Sequence, residues 1–293
     1  EQQFRDALGI YRNHPDVERE AKCLFELGMV LHRQGDPETG HEHVNRALDK
    51  YRETGSRSSE ARCLNGLGTI ATHQGQLDDA EEYFSTSIEI AREIGNQRSA
   101  ANTLVNLSNV LKARGDYEQS NEYLHEALSV FQEIGDEKGE AAAYHNLGRN
   151  AEECDELDDA EEFLEQASEI REQNGHERRL ARSRHNLGVV YLKREEFDKA
   201  RELFEQCLDQ FQEFNEPRMV CASLRALGEL EHRESKVERA EELLKESIDT
   251  AKSANAIDYA IESYDWLVSV YEEAGRIDAA IHHCKEAISL AKE

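Results

Sequence analysis

Apolar residues recur along this chain at intervals of three and four, the spacing that puts side chains on one face of an α-helix. Ala61, Leu64, Leu67, Gly68 and Ala71 trace one such face, and Leu77, Ala80, Phe84, Ile88, Ala91 and Ile94 trace a second. The pair then returns with a constant step of 40 residues. Leu27-Gly28 reappears as Leu67-Gly68, Leu107-Ser108, Leu147-Gly148, Leu187-Gly188 and Leu227-Gly228, and Leu267-Val268 closes the series. Twelve positions on stands a small residue: Gly40, Ala80, Ser120, Ala160, Ala200, Ala240 and Ala280. A bulky column follows (Val44, Phe84, Leu124, Leu164, Phe204, Leu244, then Cys284), and after it a second small one (Ala47, Ser87, Ala127, Ala167, Cys207, Ser247, Ala287). No stretch alternates with the period of a strand, so the fold class is all-α.

The columns carry a packing logic. Small residues let two helices approach closely, and the bulky residues beside them fill the remaining space. Gly35, Gly75, Gly115 and Gly275 fall between the two helices of a pair. Gly55, Gly95, Gly135, Gly175, Asn215 and Asn255 fall after the second. Gly and Asn are the residues that accept the left-handed conformation ending a helix. First helices of ~14 residues, or about 20 Å, and second helices of about 18 are expected. One helix pair cannot bury its own apolar face, whereas stacked neighbours can. Residues 15–293 therefore read as seven tandem repeats forming one solenoid domain. Residues 1–14, with Phe4, Ala7, Leu8 and Tyr11, read as the second helix of a truncated preceding repeat.

The order Leu-Gly, small, bulky, small resembles the tetratricopeptide repeat, over essentially the whole chain, and the 40-residue period looks like its long variant. That resemblance implies a right-handed α-α superhelical solenoid of antiparallel helix pairs, with the first helices lining a concave face. The sequence also departs from the family pattern. The aromatic expected three residues before Leu-Gly is present as Tyr144 and Tyr264, but Leu24, Leu64, Leu104 and Leu224 stand there elsewhere, and Arg184 in the fifth repeat. The Tyr expected three after the glycine survives as Tyr191 and Tyr271, whereas Glu231 replaces it in the sixth. Local packing of repeats five and six is the part of the fold these departures call into question.

Composition changes the picture chiefly through charge. Asp and Glu total 62 against 35 Lys and Arg, a formal net charge of -27. Such a surface repels nucleic acid and anionic lipid, which are bound by neutralising phosphate. No apolar run approaches the ~18 residues that span a bilayer. Neither a nucleic-acid nor a membrane partner is expected, and a cytoplasmic location is. Acid excess with little Lys is halophile-like, suiting a salt-rich cytoplasm where screening relieves the repulsion. Six scattered cysteines, standing where other repeats carry small or apolar residues, read as buried reduced thiols. Glu1 in place of Met reads as a piece excised from something longer.

Windows of sixteen residues around the first helices (19–34 and each 40 further on) hold 14 basic and 13 acidic residues, leaving a net of -28 for everything else. The nearly neutral lining makes the first helices the expected binding face. The resemblance places there Lys22, Arg62, Asn65, Asn102, Asn109, Lys112, His145, Arg149, Arg182, His185, Arg225 and His232. A trough of Arg, Asn and His suits an extended peptide, Asn pairing with its backbone and Arg with its carboxylates. The fifth window is locally basic through Arg179, Arg182, Arg184, Lys193 and Arg194, and the seventh is acidic through Glu262, Asp265, Glu272 and Glu273. The carboxylate clamp of some family members is echoed by Asn109, His145 and Arg149, but Val105 and His185 stand where it needs Lys, which speaks against it.

Chemistry beyond binding is not indicated. No Gly-rich loop follows a strand, and no catalytic constellation, cofactor motif or metal motif appears; an enzyme is not expected. His41 and His43, two apart, and the adjacent His282 and His283 lack the spacing that puts both rings on one helical face. His145 and His185 share a place in neighbouring repeats and read as a solvated or groove-lining pair, with a shared metal or a protonation switch as the alternative. The runs Asp78-Asp79-Glu81-Glu82 and Asp158-Asp159-Glu161-Glu162 complement a helix N-terminus. The expectation is a scaffold binding a peptide or helix of a protein partner. Its alternatives are a sensor arm of a larger signalling ATPase or transcription regulator, and a self-associating module that dimerises through an exposed terminal helix.

Overall fold

In a computed structural model, residues 16–292 are described, and they form fourteen helices with no strand among them. The opening half-repeat, and with it the terminal helix invoked for dimerisation, lies outside the described residues. The helices are α1 (Val17–Arg33), α2 (Pro37–Thr54), α3 (Arg57–His73), α4 (Leu77–Glu93), α5 (Gln97–Ala113), α6 (Tyr117–Ile134), α7 (Glu137–Glu153), α8 (Leu157–Gln173), α9 (Glu177–Lys193), α10 (Phe197–Glu213), α11 (Pro217–Arg233), α12 (Val237–Ser253), α13 (Ile257–Glu273) and α14 (Ile277–Leu290). Odd numbers are the first helices of the repeats and even numbers the second. The first helices run 17 residues rather than 14, nearly matching their partners. Their apolar pattern marks only the part that faces the core, and polar turns at each end continue the helix unseen by it.

The chain divides between Asn150 and Ala151 into two compact units. The division falls inside α7, although the sequence register runs through it unbroken. Within each unit consecutive helices pack together, and consecutive first helices also touch: α1 with α3 and α3 with α5 in one unit, α9 with α11 and α11 with α13 in the other. Each unit is an α-solenoid of antiparallel helix pairs.

Close approach follows the small columns. A Cβ on Gly28 would lie 2.7 Å from the Gly40 carbonyl, so these two helices meet backbone to backbone. Gly68 and Gly188 admit the rings of Phe84 and Phe204, which are buried in full. Where Ser108 stands in place of glycine, Ser120 donates to its carbonyl at 3.0 Å. Each turn closes with a residue at positive φ whose neighbours return amides to the carbonyls of the last helical turn, satisfying groups that a helix end would otherwise orphan. The glycines and asparagines read from the sequence hold these places. Asp155, Glu195 and Ser235 hold three more, at φ of 61, 61 and 62°, where a side chain is forced into the left-handed region.

Both departures from the family pattern are compensated across helices. Tyr144 accepts from Gln132 and Tyr264 from Lys252, each partner twelve residues back on the preceding second helix. Arg184 keeps the contact with its polarity changed, donating to Glu172 at 2.8 Å. Likewise Tyr191 donates to Glu161 at 2.8 Å, and Arg194 pairs with the same carboxylate. One repeat later every charge is exchanged: Arg201 stands where Glu161 did and donates to Glu231 and Glu234. Packing of repeats five and six is intact, because each substitution is matched on the facing helix.

Candidate functional site

The first helices turn one stripe outward, made by positions such as 22, 26, 29 and 33 and their equivalents every 40 residues. Lys22, Arg62, Asn102 and Arg182 occupy one column of it and are exposed. Asn65, Asn109, Lys112, His145, Arg149, Arg225 and His232 are half-buried. His185 is buried.

Polar groups within the first unit are tied into a ladder. Asn65 donates to Thr103 Oγ1 at 2.7 Å and accepts from Asn106 at 2.9 Å, joining α3 to α5. Asn102 and Asn109 donate back to their own helix, to the carbonyls of Arg98 and Val105. Arg62 lies over the Phe25 ring, 4.5 Å from its centroid. The sequence reading missed Asn106, Asn146 and Asn186, which recur every 40 residues, half-buried and on the outward stripe. Their 40-residue periodicity is the signal in the sequence that marks them.

Three readings of the second unit are corrected. His185 does not line a groove: it is 5% exposed, its ring lies against Phe204 and Phe211, and its Nδ1 is 3.3 Å from Ser223 Oγ. The bond to Ser223 repeats the one from Asn65 to Thr103, so His185 serves the ladder between first helices. Burial, aided by the nearby Arg225, pulls its pKa down to about 4, so it is neutral. The basic patch around Arg182 is also largely neutralised. Arg182 pairs with Glu216 at 2.8 Å, Arg184 with Glu172, Lys193 with Glu152, and Arg194 with Asp158 and Glu161. Arg225 pairs with Glu262 at 3.3 Å, and His232 lies 3.5 Å from Glu273 and edge-on to Trp266. Carboxylates brought in from adjacent elements, invisible in a window on one helix, account for this. Finally, Cys154 and Cys284 are exposed, while Cys63, Cys207 and Cys221 are buried as expected. Burial pushes the Cys63 and Cys207 thiols up to about 12 and Cys221 to about 11, leaving them protonated and inert.

His282 and His283, dismissed on spacing, do come together, with ring centroids 5.1 Å apart. Glu286 joins them, 3.8 Å from His282 Nε2 and 2.8 Å from His283 Nδ1. Their positions three and four residues before Glu286 supply the convergence that adjacency alone does not. Among the described residues this is the one group of three able to offer donor atoms to a metal ion. No helix among those residues is long and apolar enough to cross a membrane.

No curated protein sequence matches the chain. Solved structures do, at the level of fold. The Rap protein complexed with competence and sporulation factor superposes with a TM-score of 0.74 at 17% identity, covering 99% of this chain and 84% of that one. The apo quorum sensor NprR from B. thuringiensis gives 0.77 at 16% identity, covering 98% and 81%. The signal transduction ATPase with a tetratricopeptide repeat sensor from Pyrococcus horikoshii gives 0.71 at 16%, covering 98% of this chain but 46% of its own. Models of the tetratricopeptide repeat match residues 19–93, 99–173, 151–213, 179–253 and 261–293. With the repeat matched along nearly its whole length and built as stacked helix pairs, the chain belongs to the tetratricopeptide repeat family.

Proposed function

We propose that this protein is a non-catalytic interaction scaffold that holds a peptide or helical segment of a protein partner along the outward stripe of its first helices. The observation that carries this is the amide-rich stripe itself. In a chain of net charge -27, the first helices alone are close to neutral, and in the first unit they present Asn106 and Asn146 at one repeating position, bonded to Asn65 and to the Ala142 carbonyl. Half-buried amides held in place lose little freedom on binding, and an Asn side chain offers both a donor and an acceptor to an extended backbone. Arg62 and Arg149 are available for partner carboxylates at the same stripe. The Rap structure complexed with competence and sporulation factor supports a fold of this kind holding a partner.

Peptides selected from a display library against the whole protein test the reading. Their affinity is then compared between wild type and a variant carrying Asn106→Ala, Asn146→Ala and Arg149→Glu, both checked for equal helicity by circular dichroism. Loss of binding in the variant supports the stripe. Undiminished binding, or failure to select any peptide, refutes it.

A second reading, a sensor arm of a larger signalling protein, draws on the likeness to the signalling ATPase sensor and the quorum sensor. It calls for ligand binding to change the array's shape, measured as a change in radius of gyration on adding the selected peptide. An unchanged radius favours the scaffold.

A further inference from the structure

Lys22 and Arg62 hold the same place on consecutive first helices, α1 and α3, and both side chains are exposed. Cations are scarce in this chain, 35 against 62 carboxylates, and many in this unit are taken. Lys50 pairs with Glu20, Arg52 and Arg57 with Glu60, Arg98 with Asp136, and Arg114 with Asp78 and Glu81. Among the described residues neither Lys22 nor Arg62 forms an ion pair.

The two converge on a cleft of about 450 Å³ between α1 and the turn that starts α3. Ser56, Ser58, Ser59 and Tyr51, all carrying hydroxyls, line it with them. Arg62 is stacked over the Phe25 ring, 4.5 Å from its centroid, beside Tyr51 in the lining. The Ser56 side chain does not cap α3; its hydroxyl instead donates to Ser59 Oγ at 3.1 Å. The first-turn amides of α3 are thus free of a side-chain acceptor and border the cleft. One carboxylate, Glu18, stands in the lining, and Arg19 beside it pairs with Asp16 at 3.2 Å.

A guanidinium stacked on a ring, an ammonium and several hydroxyls lining one cleft are groups that coordinate oxyanions. We propose that this cleft binds an oxyanion, the phosphoryl or carboxylate group of an acidic peptide partner. The volume admits the anionic side chain with part of its backbone, so the cleft would anchor one end of a peptide lying along the first-helix stripe. The carrier rests on the scaffold reading above, but the anion site itself does not.

The whole protein is titrated with inorganic phosphate and, separately, with acetate at low ionic strength, following the amide resonances of Ser58 and Ser59. Saturable shifts at these residues are expected, with affinity falling at least about tenfold in a Lys22→Gln, Arg62→Gln double variant, as expected for lost charge-assisted hydrogen bonds. An Arg239→Gln variant, altered at an exposed position on a second helix of the other unit, should bind as wild type. Tighter phosphate than acetate assigns a phosphoryl ligand, and equal affinity assigns a carboxylate. Shifts that do not saturate, or that persist unchanged in the double variant, overturn the proposal. If that variant is less helical, Lys22→Gln alone must still weaken binding, or the proposal fails. Phosphate bound by a protein that selects no peptide would remove the scaffold reading and leave the cleft intact.

Discussion

Acid should unlock the second unit through a single imidazole. His185 is buried against Phe204 and Phe211, and its pKa falls from 6.5 to about 4 because burial, seconded by the Arg225 charge, disfavours the protonated ring. The unfolded chain takes up a proton near 6.5, whereas the folded chain resists until about 4. Stability due to the neutral ring is therefore fully present above about pH 6.5 and drains away as pH falls toward 4. For one group the loss is about 2 kcal/mol by pH 5, before most carboxylates begin to titrate. The reference protein is His185→Asn, since Asn65 makes the equivalent bond from the equivalent place and does not titrate. Its smaller side chain shifts stability by an amount independent of pH. Urea unfolding followed by fluorescence of Trp266, the only tryptophan and itself in this unit, reports the comparison at about pH 7.5, 6 and 5. Wild type should lose about 2 kcal/mol more than the variant across that range. Stability curves that stay parallel would show that the imidazole is hydrated or already charged in the folded state, and the reasoning would fail.

Three further outcomes follow from packing. Arg201→Glu places a carboxylate against the buried Glu231 and should cost about 3 kcal/mol, while adding Glu231→Tyr and Glu234→Arg rebuilds the Glu161, Tyr191 and Arg194 arrangement and should restore most of it in thermal melts. Gly188→Ala puts a Cβ 2.7 Å from the Phe204 ring and should destabilise by about 1–3 kcal/mol despite alanine's helix propensity; an unchanged melting temperature would mean the ring moves freely. Glu195→Gly relieves a left-handed φ of 61° and should stabilise by about 1 kcal/mol, read as a raised urea midpoint.

The sequence alone determined the period, the helix pairs and the turn positions, because these rest on interactions between residues close in the chain. Three-and-four spacing marks a helical face, Gly28 and Gly40 announce a close crossing, and Gly or Asn ends a helix wherever it stands. It also showed that Arg184 and Glu231 break the pattern. What it could not show is that Glu172 and Arg201 answer them, since those partners lie twelve and thirty residues away. The candidate site was legible as a stripe but not residue by residue. Lys22, Arg62, Asn102 and Arg182 are exposed, whereas His185 lies inside and Asn106 stands on the stripe, because a one-position turn of a helix decides between solvent and core. The apparent charge around α9 was likewise undone only in three dimensions, where Glu152, Glu161 and Glu172 arrive from other helices and Glu216 from the turn before α11. Local spacing fixes which face a helix buries; pairing across helices, which alone sets which charges and imidazoles remain available, is decided by the tertiary structure.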